Sequence, residues 1–242
     1  MTFNVKNKQV SDNARVYGNA LMSGNALVSD NASVFGNALM SGNAKVSDNA
    51  LVYGNALMSG NAWVSGDASV FGNAWVSGNA LVSDNALVYG DALVSGDASV
   101  FGNAWVSGNA WVSGDASVFG NALMSGNAKV SDNALVYGDA WVSGDAKVSG
   151  NAWVSGNAWV SGDGLIEKTS DYLVIGPAKS SGRFTTAHKD SKIGVRVNCG
   201  CFSGTVKEFS DAIEKTHKDN KEALEQYRLF CQLIAFNFDV EA

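Results

Sequence analysis

A repeat of six residues dominates the chain and limits the folds open to it. From Val10 to Ile166 every sixth residue is Val, Met or Ile, and from Ala14 to Ala158 every sixth residue is Ala. From position 12 to 162 every sixth residue is Gly or Asp, and the next is Asn or Asp. The unit reads A-x-V-z-[GD]-[ND]. A period of six does not match the 3.6-residue period of an α-helix, so the repeat excludes a helical rod.

The unit fits a short strand followed by a tight turn. Ala and Val lie two residues apart, so both side chains point to one side of an extended strand, and x and z point to the other. Gly, Asn and Asp tolerate the positive φ angles of tight turns. Because one unit cannot bury its own apolar side, the units must stack as coils about 4.8 Å apart.

This pattern resembles the hexapeptide-repeat family, in which a small residue follows an aliphatic one four places on, as Ala68 follows Val64. The resemblance implies an all-β solenoid, a left-handed parallel β-helix of triangular section with three of the six-residue units in each coil. We expect a cap at 1–9, the β-helix at 10–166, and a small α+β C-terminal module at 167–242.

Composition excludes several classes of protein. The formal net charge is −6, and a chain without excess Lys or Arg does not suit general nucleic-acid binding. Three cysteines among 242 residues argue against a disulfide scaffold. No apolar run is long enough for a membrane span, and the N-terminus lacks the apolar core of a secretion signal. We therefore expect neither general nucleic-acid binding nor a membrane partner.

The z positions predict ladders on the outside of the rod. With three units per coil, one z column contains only aromatic residues in its first five coils: Tyr17, Phe35, Tyr53, Phe71 and Tyr89. A second ladder, on an adjacent face, contains Phe101, Phe119 and Tyr137. The third face carries only Ser at z from Ser23 to Ser149. We expect neighbouring rings about 4.8 Å apart.

The second aromatic ladder is explained by a duplication. Residues 32–54 recur identically at 116–138, and the offset between the copies is a whole number of units but not of three-unit coils. The copy is therefore rotated to another face. Such growth would scramble a site that needs fixed residues on one face, which favours a rod or a repeated surface over a single pocket.

The x positions hold the large apolar residues of the repeat. They include ten Leu and all seven tryptophans: Trp63, Trp75, Trp105, Trp111, Trp141, Trp153 and Trp159. If x points outward, the rod exposes more apolar area than a solitary rod should. Three interpretations stay open: the side chains stack and stiffen the faces, they form an interface, or they form a stacking platform for a ligand.

Acyltransferases of the hexapeptide-repeat family typically use a histidine as general base, and other members bind zinc through several histidines. The repeat of this chain contains no His, Cys or Glu, so neither mechanism can be transferred to it. We expect a non-enzymatic protein without a cofactor.

Beyond Leu165 the composition changes to that of an ordinary α+β module. We predict strands at 171–176, 182–190 and 192–198, with a hairpin at 188–192. Thr205 and Glu208 form a capping box that opens a helix, and Asp219 with Glu222 repeats the signal before a second one.

The module resembles one that is common in phage and prophage proteins and often follows such repeats. The resemblance rests on GCF-x-GT-x-x-EF, here Gly200 to Phe209, with His217 after the helix. It implies a bacterial virus or prophage, and therefore the host cytoplasm or the virion as the location.

Cys199, Cys201 and His217 are weak candidates for metal ligands, with Cys231 or His188 as a further ligand. The alternatives are buried reduced thiols and a catalytic Cys201 with His217 as its base. Arg183 and Arg196, on neighbouring predicted strands, could bind a carboxylate or phosphate, or face solvent.

Together these features predict a binding or scaffold protein that forms a homo-oligomer. The rod would present apolar and aromatic columns, and the C-terminal module would cap it and mediate assembly or target binding. Its partner would be a host protein or a small molecule, and antagonism of a host defence system is a role by analogy. The alternatives are a structural virion or filament protein and an enzyme whose chemistry lies in the C-terminal module.

Overall fold

The computed structural model describes residues 9–241 and shows a parallel β-solenoid followed by a small α+β domain. The predicted fold class is confirmed. The predicted N-terminal cap at 1–9 lies, apart from Gln9, outside the described residues. Among residues 9–241, no helix is long and apolar enough to cross a membrane.

Three parallel sheets form the three faces of the solenoid, and their strands are numbered β1 to β26 in chain order. The first face contains Arg15–Val16, Ser33–Val34, Leu51–Val52, Ser69–Val70, Leu87–Val88, Trp105–Val106, Leu123–Met124, Trp141–Val142 and Trp159–Val160. The second face contains Leu21–Met22, Leu39–Met40, Leu57–Met58, Trp75–Val76, Leu93–Val94, Trp111–Val112, Lys129–Val130, Lys147–Val148 and Leu165–Ile166. The third face contains Leu27–Val28, Lys45–Val46, Trp63–Val64, Leu81–Val82, Ser99–Val100, Ser117–Val118, Leu135–Val136 and Trp153–Val154.

Each strand pairs in register with the third strand after it, as Ser69 pairs with Leu87. The Ala and Val positions from Ala26 to Val160 are fully buried, with Met40, Met58 and Met124 in place of Val in three units. The x and z side chains are half-buried or exposed, apart from two buried serines, Ser65 and Ser161. The inward and outward directions predicted from the repeat are therefore the observed ones.

Asparagine ladders run along the corners of the solenoid. Along the corner that follows the first face, Asn19 donates through Nδ2 to Asn37 Oδ1, and the chain of hydrogen bonds continues through Asn55 and Asn73 to Asp91. Asp ends such a ladder because a carboxylate accepts hydrogen bonds and has no N–H to donate. The residue before each Asn or Asp, whether Gly or Asp, has a positive φ.

Gly78 and Gly156 differ in how closely the next coil packs against them, and this difference can be tested. Gly78 has φ +72°, and a Cβ there would lie 2.7 Å from the carbonyl oxygen of Gly96 in the next coil. Gly156 has φ +64° and open space around it. We expect Gly78→Ala to destabilise the protein by about 1–3 kcal/mol more than Gly156→Ala, because only the first adds overpacking to the shared φ strain. Thermal or urea unfolding of the two variants measures this difference, and equal losses would contradict it.

The C-terminal domain is a four-stranded antiparallel sheet with two helices. A short 3₁₀ helix, Thr169–Asp171, leads into the strands β27 (Tyr172–Ile175), β28 (Thr185–Asp190), β29 (Gly194–Cys199) and β30 (Phe202–Thr205), which pair in this order. The helices are α1 (Val206–Thr216) and α2 (Lys221–Phe238). Their buried residues form a second core against the sheet.

Two details of this domain differ from the prediction. Strand β30 was missed, because the turn at Gly200 (φ +60°) that folds it back onto β29 lies inside the motif and interrupts any alternation. The second helix is capped by Asn220, whose side chain accepts from the N–H of Ala223, so Asp219 is not the capping residue. The predicted capping box of α1, between Thr205 and Glu208, is present.

Candidate functional site

The aromatic z residues form two stacked ladders. In the first, from Tyr17 to Tyr89, neighbouring ring centroids are 4.9–5.0 Å apart and the rings are within 5° of parallel. In the second, Phe101, Phe119 and Tyr137 have centroids 4.8 and 5.0 Å apart. Because the ring faces cover each other, these residues mainly stiffen two corners of the rod and show their edges to solvent.

The tryptophans are spread over all three faces. Trp105, Trp141 and Trp159 lie on the first face, Trp75 and Trp111 on the second, and Trp63 and Trp153 on the third. Six of them are 40–53% exposed, and Trp159 is half-buried. The rod therefore presents indole rings on every side, in line with growth of the repeat that ignored the faces.

Hydrogen bonds to serine hold five of these indoles in place. In each case Nε1 donates to the hydroxyl of a z serine in the preceding coil. The pairs are Trp63–Ser47, Trp75–Ser59, Trp111–Ser95, Trp141–Ser125 and Trp159–Ser143. The z residues in the coils before Trp105 and Trp153 are Tyr89 and Tyr137 instead of serine. The z serines therefore hold the tryptophan side chains of the x positions in place. This contact between x and z residues was not predicted from the sequence.

Neighbours along the rod cover some of the indole faces. The rings of Trp141 and Trp159 are 5.2 Å apart and within 9° of parallel. The ammonium group of Lys129 lies 5.1 Å from the ring centroid of Trp111. These rings point their faces along the rod, which suits an edge-on protein contact better than the flat stacking of a base or sugar.

The C-terminal domain closes the last coil of the solenoid. Side chains of the domain accept hydrogen bonds from backbone N–H groups that no further coil can satisfy. The bonds are Trp153 to Thr169 Oγ1, Ser155 to Tyr172 Oη, Trp159 to Thr186 Oγ1, Ser161 to His188 Nε2 and Asp163 to Asp190 Oδ2. An open strand edge, which invites further strand pairing, is thereby covered.

These contacts form the joint between the solenoid and the C-terminal domain, and His188 and Arg196 belong to it. His188 is fully buried, accepts from Ser161 through Nε2 and donates through Nδ1 to the carbonyl oxygen of Lys189 at 2.9 Å. Burial lowers the pKa of His188 below its ordinary value, so the imidazole is neutral at pH 7. Arg196 Nε donates to the buried Asp190 at 2.7 Å. Burial alone would raise the pKa of Asp190, but the bonds from Arg196 and from the backbone N–H groups of Lys192 and Ile193 lower it.

A cleft in the C-terminal domain brings most of the other candidates together. Its volume is about 120 Å³. Its lining consists of Arg183, Cys199, Cys201, Phe202, Phe209, Ala212, Ile213, Thr216, His217 and Tyr227. Arg183 and Arg196, which the sequence placed on neighbouring strands, are separated: Arg183 precedes β28 and faces the cleft, and Arg196 serves the joint.

Tyr227 contacts Ser181 and His217 at the cleft. Its hydroxyl lies 2.9 Å from Ser181 Oγ, and its ring stacks on His217 with centroids 5.1 Å apart. Burial raises the pKa of the Tyr227 hydroxyl, which keeps it protonated. Cys199 is buried and Cys201 is exposed, and both are free thiols. Within residues 9–241 no group of three or more His, Cys, Asp or Glu side chains is arranged to hold a metal ion.

An apolar stripe on helix α2 and just beyond it was missed in the sequence. Leu229, Leu233, Phe236 and Val240 are exposed, Phe236 by 88%. The spacing of the first three was visible in the sequence and places them on one side of the helix, and Val240 follows the helix end. The neighbouring stripe of Tyr227, Phe230, Cys231 and Ile234 is the buried one.

Comparison with protein-family models supports the solenoid. The family model described as the YdcK β-solenoid repeat matches six segments, two of which overlap: 9–24, 44–60, 74–90, 80–96, 128–144 and 146–162. A solved structure of UDP-N-acetylglucosamine acyltransferase from Arabidopsis is similar at 14% sequence identity and a TM-score of 0.34, over 63% of this chain and 71% of that one. No curated protein sequence gives a significant match.

Proposed function

We propose that the chain is a non-enzymatic binding and scaffold protein that self-assembles through its C-terminal domain. The rod presents pre-ordered aromatic and apolar columns to a partner, and α2 joins copies of the chain. The observation that carries the proposal is the set of large apolar side chains left exposed on both parts, six tryptophans on the rod and the stripe of Leu229, Leu233, Phe236 and Val240 at α2.

The tryptophans suit the rod for partner binding. Trp is among the residues that contribute most to protein interfaces, where a few large side chains carry most of the binding energy. Five indoles are already fixed by serine hydroxyls. A partner therefore meets side chains whose rotamers are set in advance, which lowers the entropy cost of association.

The α2 stripe suits a second copy of the same chain. The alternating four and three spacing of Leu229, Leu233 and Phe236 is that of a seam between two packed helices, and a second copy offers the same spacing. Self-pairing of one surface gives a closed two-fold assembly, the commonest kind of homo-oligomer.

Replacing Phe236 tests this assembly. We expect Phe236→Glu to dissociate the oligomer at micromolar concentration, because it places a charge in each half of the apolar seam. The fold should stay intact, since Phe236 is almost fully exposed. Gln232→Glu adds the same charge beside the seam and is expected to leave the oligomer largely unchanged. Sedimentation velocity of the three proteins measures this. A monomeric wild type, or an F236E variant as oligomeric as wild type, contradicts the proposal.

Under this proposal the protein belongs to a phage or prophage. Support comes from the residues Gly200 to Phe209, which resemble a module of phage and prophage proteins. In this setting the protein acts in the host cytoplasm and binds a host protein or small molecule of a defence system. Plating phage on defence-positive cells with and without the protein tests this role, and unchanged plating rejects it for those systems.

A filament built end to end is less well supported. The hydrogen bonds from the last coil to Thr169, Tyr172, Thr186, His188 and Asp190 occupy N–H groups that would otherwise be free. The C-terminal edge therefore offers little for a second rod to pair with.

A further inference from the structure

We infer that the cleft of the C-terminal domain is a binding site for a small oxyanion, a carboxylate or phosphate group. The site goes beyond the proposed scaffold role and does not depend on it. Its central group is the Arg183 guanidinium, with Tyr227 and His217 as its polar neighbours.

Gly200 provides the space that Arg183 occupies. A Cβ at position 200 would lie 2.7 Å from Arg183 Nη1 and 3.1 Å from its Cζ, so a side chain there would displace the guanidinium. The turn between β29 and β30 thus forms a seat for Arg183 at the mouth of the cleft. Arg183 is exposed, so its guanidinium stays accessible to a ligand while it lies against the backbone of Gly200.

Arg183 has no acidic partner in the part of the chain that the structure describes, and this sets it apart from the other arginines of the domain. Arg196 pairs with Asp190 at 2.7 Å, and Arg228 pairs with Glu214. The lining of the cleft contains no Asp or Glu, although the whole chain has a net charge of −6. The cleft is therefore a local positive region with an unused bidentate donor.

The remaining lining suits an oxyanion of limited size. The hydroxyl of Thr216, the hydroxyl of Tyr227 and the imidazole of His217 offer further hydrogen bonds, and Phe202, Phe209 and Ile213 make the floor apolar. A volume of about 120 Å³ takes a phosphate or carboxylate group and excludes a complete nucleotide. Low local polarity strengthens a charge-assisted hydrogen bond.

Titration of the full chain with inorganic phosphate and, separately, acetate tests the inference. Followed by ¹⁵N NMR of the arginine Nε–H signals at constant ionic strength, the Arg183 signal should shift and saturate with at least one probe. We expect Arg183→Gln to weaken binding by about tenfold or more, the loss of one charged hydrogen-bond pair. Arg228→Gln, an exposed arginine of the same domain, is the matched control and should bind as wild type.

The two probes also identify the ligand chemistry, since tighter phosphate binding indicates a phosphate monoester and tighter acetate binding a carboxylate. Gly200→Ala should weaken binding as Arg183→Gln does, because it removes the seat. No saturable shift with either probe overturns the inference, and so does equal binding by wild type and Arg183→Gln, whose exposed side chain can change without unfolding the domain.

Discussion

Replacing Val76 by aspartate unfolds several coils of the solenoid. Val76 is fully buried on the second face, between Met58 and Val94 of the adjoining coils. Its surroundings are Ala, Val and Met side chains, so a carboxylate there has no partner and costs several kcal/mol. Because each coil contacts only its neighbours, the loss spreads along the rod from this point.

Ser77→Asp is the matched control for this substitution. Ser77 is the adjacent residue, is half-buried at the corner and points outward. We expect it to change the free energy of unfolding by less than about 0.5 kcal/mol, as surface substitutions usually do. Urea unfolding followed by circular dichroism compares the two variants. If both leave stability unchanged, the inward direction of Val76 is wrong.

Acidification from pH 7 to pH 5 loosens the joint between the solenoid and the C-terminal domain. His188 is neutral in the folded state and accepts the N–H of Ser161, with Asp190, Arg196 and Asn198 around it. Its folded pKa is below the unfolded value of 6.5. The contribution of His188 is therefore present above pH 6.5 and is lost as the pH falls below it, because only the unfolded chain takes up the proton readily.

The expected loss is about 1.4 kcal/mol for each pH unit between the unfolded and the folded pKa. His188→Gln cannot titrate and should show a flatter dependence between pH 7 and 5, with lower stability at pH 7. Asp171 and Asp190 also have lowered pKa values, but these carboxylates protonate only at more acidic pH. Hydrogen exchange at Trp159 and Ser161 against pH reports the joint directly. An equal pH slope in wild type and His188→Gln would show that another group controls it.

The solenoid could be predicted in detail because its contacts repeat. Once Ala and Val were placed inward, the three-unit coil fixed the neighbours of every residue, and the ladder from Tyr17 to Tyr89 followed. The bonds from Ser161 to His188 and from Asp163 to Asp190 connect the last coil with a non-repeating part of the chain. Nothing periodic predicts them, so a C-terminal cap could be expected but its residues could not.

Arg183 and Arg196 show the same limit of sequence-based prediction within the C-terminal domain. On the sequence Arg183 and Arg196 were equivalent, each on a predicted strand. Strand β28 begins two residues after Arg183, which leaves that side chain free to reach Gly200 across the sheet. Arg196 is drawn to Asp190 by the hairpin between β28 and β29. Their separate environments depend on tertiary contacts that strand prediction does not contain.

The duplicated segment connects the fold with the proposed role. Phe35 lies in the corner that follows the first face, and its copy Phe119 lies in the corner that follows the third. The two copies lie in equivalent corners, because the three faces share one backbone geometry. A rod that accepts such rotation can lengthen by whole six-residue units, and under the proposed role it would present the same kind of surface to a partner at several angles.

Native mass spectrometry of the full-length protein, purified gently from a bacterial lysate, tests the binding and scaffold role most directly. The account predicts one defined oligomer that retains an additional mass, either a protein or a small molecule. A monomer with nothing bound, under conditions where the fold is intact, would contradict it.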